Sequence, residues 1–182
     1  AQTIFEGPLD DKGDAEIRAS LKTGTPPGML SAAFTTRIFE KSGASSVDYY
    51  SIDVAPYDRF VGLRVPKGDE KRGMLLTDTD HPIELVALDA RGEPAGDIDV
   101  EVALYKVQWR WWWESGGESL PDYVGAGTET PLAQGVTRLK EGRGTWTLNV
   151  KYPEWGRYMI VAKDKAGTHR ASTFVYIDWP GW

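Results

Sequence analysis

His81 and His169 are the only imidazoles in the 182 residues, and cysteine is absent. Acid–base and nucleophilic chemistry is therefore poorly supplied. A serine triad needs a histidine base beside its nucleophile and an acid to orient it, and no Gly-x-Ser-x-Gly elbow occurs. The lack of thiols removes disulfides, thiolate metal sites, cysteine nucleophiles and an internal thioester. A zinc site would need a third ligand besides the two histidines. Both are expected to be solvated or simply packed, with no metal and no cofactor bound. Gly125-Ala126-Gly127-Thr128 lacks the third glycine, the lysine and the following helix of a phosphate loop. Asp10-Asp11-Lys12-Gly13-Asp14 lacks the oxygen spacing and terminal glutamate of a calcium loop. Acidic residues are plentiful, but no motif singles out a pair for glycoside hydrolysis. The residues predict a chain that is not an enzyme.

The unusual feature is Trp109-Arg110-Trp111-Trp112-Trp113-Glu114. On a strand, Trp109, Trp111 and Trp113 share one face, continued upstream by Tyr105 and Val107, while Arg110 and Trp112 share the other. Coplanar indoles on a sheet would suit pyranose faces, which makes a carbohydrate-binding β-module the alternative reading. Tryptophan on both faces favours packing instead, since a sugar platform needs only one, and buried indole N–H groups find loop carbonyls. Trp109, Trp111, Trp112, Trp113, Trp155 and Trp179 are the candidate packing or interface residues. Trp112, pointing away from its neighbours, is expected to meet an adjoining domain.

The elements that must carry these side chains are strands, because apolar residues alternate rather than recur at 3.6. Ala15, Ile17, Ala19 and Leu21 alternate with Glu16, Arg18 and Ser20 as a half-buried strand would. Met29–Lys41 fits a helix or a strand, and Thr35 and Thr36 decide for the strand through β-branching. Further strands are expected at Val47–Val54, Phe60–Val65, Ile83–Leu88, Ile98–Glu114, Thr145–Val150, Tyr158–Ala162 and Ser172–Ile177. Turn signals every ~8–12 residues suit β-sandwiches. Ser115–Gln134, rich in glycine and proline, should be a long exposed loop.

The charged segment Pro66–Gly73 reads as a linker or surface loop. All eight tryptophans fall between Trp109 and Trp182. Two β-sandwich domains in tandem are expected, residues 1–66 and 67–182. Lys+Arg 21 against Asp+Glu 27 gives net charge −6, which disfavours nucleic acid and anionic membrane surfaces. No apolar run approaches the ~18 residues of a membrane span, so no direct membrane insertion is expected. No charged-then-apolar signal segment opens the chain.

A resemblance rests on several motifs. Tyr105-Lys106-Val107-Gln108-Trp109-Arg110-Trp111-Trp112-Trp113-Glu114 is followed by a Gly/Ser loop and by Gly144-Thr145-Trp146. Val150-Lys151-Tyr152-Pro153-Glu154-Trp155-Gly156-Arg157-Tyr158 and Tyr176-Ile177-Asp178-Trp179-Pro180-Gly181-Trp182 complete the set. Together they resemble the bacterial α2-macroglobulins, in the macroglobulin-like domain ahead of the bait-region domain. The first half resembles the preceding domain through Glu6-Gly7, Gly13-Asp14-Ala15 and Phe60-Val61-Gly62-Leu63-Arg64. The resemblance implies macroglobulin-like (immunoglobulin- or fibronectin-III-like) sandwiches, acting as a structural scaffold in a protease-trapping inhibitor of the periplasm or cell envelope, whose parent protein could carry a lipid anchor. It implies neighbouring domains of the same polypeptide as partners, and target proteases only through the full-length parent. The thioester of that machine needs a cysteine, which this chain lacks, and the bait region is expected beyond Trp182.

Overall fold

The computed structural model describes residues 2–107 and 130–179. Among these residues every regular element is a strand, and the fold is all-β as the alternation predicts. The strands are β1 (Leu30–Phe39), β2 (Ser45–Val54), β3 (Arg59–Arg64), β4 (Leu75–Leu76) and β5 (His81–Asp89). They continue with β6 (Ile98–Lys106), β7 (Ala133–Leu139), β8 (Arg143–Leu148), β9 (Gly156–Asp164) and β10 (Arg170–Asp178). The Met29–Lys41 ambiguity resolves to strand β1. Ala15–Leu21 forms no strand despite its alternation, because no neighbouring backbone pairs with it, and Ile17 and Leu21 stand in solvent.

Two sheets build the sandwich. One runs β4-β10-β9-β6-β7 and the other β3-β5-β8. Their facing sides alternate inward. Val100, Val102 and Leu104 of β6 meet Tyr158, Ile160 and Ala162 of β9, while Ile83, Leu85 and Ala87 of β5 close the opposite layer. Trp146 of β8 packs against this core, paired with Ile83. Gly135 makes room for it, since a Cβ there would lie 3.0 Å from the indole Nε1.

The β7–β8 hairpin bridges the two sheets through a two-residue turn. Glu141 and Gly142 both have positive φ, 49° and 73°, the mirror-image turn that matches strand twist. Glycine is required at 142, because a Cβ would come within 2.5 Å of the Ala87 carbonyl.

The boundary drawn at Pro66/Lys67 does not coincide with the strand pairing. β3 precedes that segment yet pairs with β5 from Arg59↔Asp89 to Arg64↔Glu84. Pro66–Gly73 therefore connects two strands of one sandwich. It runs largely over the surface, as its charges suggested, and Arg72 ties it down through Asp69 at 3.1 Å and Asp178 of β10 at 2.7 Å. Charge composition alone cannot distinguish a solvated linker from a loop clamped by ion pairs.

Ahead of β3 the chain is open. β1 and β2 form a separate hairpin in register from Leu30↔Val54 to Phe39↔Ser45. Among the described residues none before Val61 is buried.

Candidate interaction site

The six candidate tryptophans divide. Trp109, Trp111, Trp112 and Trp113, with most of the 115–134 loop, lie outside the described residues. Trp155 and Trp179 are brought together although they leave different elements. The turn before β9 carries Tyr152 and Trp155, and Trp179 follows β10 directly. The Trp155 and Trp179 rings are 6.2 Å apart at 84°, and Tyr152 meets Trp179 at 5.5 Å and 75°. These are edge-to-face contacts, which satisfy ring quadrupoles internally. Tyr152 and Trp155 remain more than half exposed, at 57% and 52%.

The turn that presents them is held from below. Tyr158 OH donates to the Glu154 carbonyl at 2.6 Å, and Lys106 Nζ reaches Glu154 Oε2 at 2.5 Å. The hydrogen bond to Glu154 raises the Lys106 ammonium above its usual range, and burial raises the Tyr158 phenol. Both groups keep their protons at neutral pH, so the clamp is constant. Beside it, the Arg157 guanidinium lies 4.0 Å over Phe174 and 5.7 Å from Tyr176, a cation–π stack on the outer face of the five-stranded sheet.

A second aromatic group sits where the N-terminal region meets the sandwich, and sequence reasoning missed it. His169 is buried, with Tyr57 and Phe60 each 5.0 Å away edge-on. Its Nδ1 accepts the Val61 N–H at 3.0 Å, and Nε2 stands 3.2 Å from the Pro27 carbonyl. Burial lowers the His169 pKa below 6.5. Tyr57 OH donates to Pro26 O at 2.6 Å. Next to it, Asp164 is buried and paired with Arg59 at 3.0 Å. His81 is partly buried, its Nε2 meeting both backbone atoms of Leu76. Both histidines thus make backbone bonds, and among the described residues no group of three or more His, Cys, Asp or Glu could hold a metal.

The third feature is the hairpin. Antiparallel partners share a face, so Leu30, Ala32, Phe34 and Ile38 stand beside Val54, Ile52 and Tyr50. Phe34 and Tyr50 stack at 5.0 Å and 12°. This apolar face has no buried residue, and Ile38, Tyr50 and Ile52 are exposed. The signal was legible as alternation in both strands, but its lack of a covering layer was not.

A family model described as bacterial macroglobulin domain 6 matches residues 62–179. No curated protein matches. Among solved structures the chain is similar to the native conformation of E. coli alpha-2-macroglobulin, at 18% identity and TM-score 0.49, over 95% of this chain and 11% of that one. It is also similar to E. coli alpha-2-macroglobulin activated by porcine elastase, at 18% identity and TM-score 0.44, over 96% of this chain and 15% of that one. The chain thus spans a small fraction of the length of the solved molecules that it matches.

Proposed function

The chain belongs to the bacterial alpha-2-macroglobulin family through its match to macroglobulin domain 6, and on that premise we propose that it is a scaffold fragment of a protease-trapping inhibitor. Its task is to present rigid surfaces to neighbouring domains of the same polypeptide. Target proteases are met only by the full-length parent, in the periplasm or at the cell envelope. The observation that carries this reading is the contrast between a closed sandwich core and the uncovered apolar face of β1–β2. An isolated two-stranded hairpin is marginal in water and gains stability from a third strand or a packed layer. A neighbouring domain is the covering layer that a scaffold role supplies.

A non-enzymatic role is supported by the histidines. Both are engaged with backbone atoms, so neither is placed as a free general base. The carbohydrate reading gains nothing from the Trp155–Trp179 pair, whose rings stand at 84° and offer no coplanar platform.

Residual trypsin, elastase and subtilisin activity, measured with this chain in molar excess, tests the proposal. No inhibition by the fragment is expected, and stoichiometric inhibition would move function into the chain itself. Hydrogen exchange gives the complementary arm. The β1–β2 amides should exchange quickly in this chain alone and become protected in a longer polypeptide carrying the adjoining domains. Titration with a glycan panel is expected to release no binding heat.

A further inference from the structure

The Pro26-Pro27 pair offers two carbonyls and no N–H, so only donors can hold it. Two donors meet it, Tyr57 OH on Pro26 O and His169 Nε2 on Pro27 O. His169 donates from Nε2 because its Nδ1 is the acceptor of the Val61 N–H. That pairing selects the neutral ring and one tautomer. β1 begins three residues beyond Pro27, so these two bonds sit at the root of the hairpin.

We propose that Tyr57 and His169 form a proton-controlled latch, which holds the Pro26-Pro27 segment and the hairpin behind it to the sandwich and opens when His169 takes a second proton. That proton must go to Nδ1, the atom facing the Val61 N–H. Two donors then oppose each other, and a buried backbone amide loses its acceptor. The charged ring is also desolvated between Tyr57 and Phe60. Of the charged groups around it, Asp164 of β9 favours the imidazolium, but its carboxylate is engaged by Arg59 of β3 and by the Ala166 N–H. Tyr57 faces the ring edge-on and the two prolines carry no charge. The Pro27 carbonyl that accepts from Nε2 also favours the charged ring, and desolvation outweighs it and Asp164 together, in keeping with the lowered basicity of His169. The protonated ring recovers water by leaving its slot, and Pro27 loses its donor. The inference stands on this chain's own contacts and requires no neighbouring domain.

The absence of cysteine makes the test direct. Spin labels at Ser46→Cys on β2 and Glu93→Cys beyond β5, both exposed positions, report the hairpin-to-sandwich distance in the full chain. A narrow distribution is expected at about pH 7.5 and a broad one at about pH 4.5, reversibly, on either side of the ordinary histidine range. His169→Gln should abolish the dependence on pH. Tyr57→Phe removes only the Pro26 bond, so it should broaden the distribution at neutral pH and leave a further acid broadening. The NMR titration midpoint of the His169 ring should coincide with the midpoint of the distance change, which keeps the test decisive if His169→Gln does not fold. A wild-type distribution that is equally wide at both pH values overturns the latch. So does acid broadening that survives His169→Gln, or a ring midpoint displaced from the distance transition.

Discussion

The hairpin β1–β2 and the sandwich from β3 to β10 are written in the same alternating pattern, yet only the sandwich has an interior. β6 places Val100, Val102 and Leu104 at essentially zero exposure, whereas the equivalent apolar positions of β2, Tyr50 and Ile52, are about half exposed. The pairing within each region is equally regular. The difference is the second layer. Alternation makes a strand two-sided, but hydrophobic stabilisation arises only where another sheet removes that side from water. Ala15–Leu21 lies one step further back, alternating without even a paired strand.

The sharpest way to break this comparison is truncation on each side of it. Leu104→Ala removes a wholly buried side chain from the sandwich and should cost about 2–5 kcal/mol in urea unfolding, through transfer and cavity terms together. A loss below about 1 kcal/mol would mean that the core is not close-packed. Gly142→Ala forces a side chain into a left-handed turn and against the Ala87 carbonyl, and should cost about 2–3 kcal/mol. Asp164→Ala leaves Arg59 without its carboxylate. The expected loss is about 2 kcal/mol, below the usual 3–5 for a buried pair because the Arg59 side chain is one-third exposed.

The pH profile probes the seam between the regions. Burial lowers His169 below its ordinary 6.5, so the unfolded chain binds its proton more readily. Stability from neutral His169 is fully present above pH 6.5 and is lost as pH falls from there towards the folded-state value. Wild type should lose unfolding free energy across that window by more than His169→Gln does. Equal slopes for the two would remove His169 from the seam.

The smallest effects belong to the surface. Ile52→Ser on the hairpin should change the unfolding free energy of the isolated chain by about 0.5 kcal/mol or less, although it lies on a strand as regular as β6. Glu84→Gln breaks an exposed ion pair with Arg64 and should cost no more than about 1 kcal/mol. A large loss for Ile52→Ser would show that the hairpin face is covered within this chain.

The strand class of nearly every element was determined by local pattern, because period-2 alternation and β-branching act residue by residue. β1 from Leu30, β6 from Ile98 and β9 around Tyr158 follow from it directly. The short β4 and the strand β7 escaped notice, the first because two residues carry no period and the second because Gly135 interrupts it. Partnership was decided only by the tertiary structure. Charge marked Pro66–Gly73 as a linker or surface loop, but not that Arg72 would meet Asp178, a residue more than a hundred positions away. Trp146 was read as part of a strand and a motif but not as a core residue, and it packs against the core where Gly135 leaves space for its indole. His169 had no local signal at all, since its acceptor role depends on Val61 and its donor role on Pro27. Alternation is a property of one segment and can be read along it. Burial and hydrogen-bond satisfaction are properties of pairs distant in the chain, and they exist only once the sheets have met.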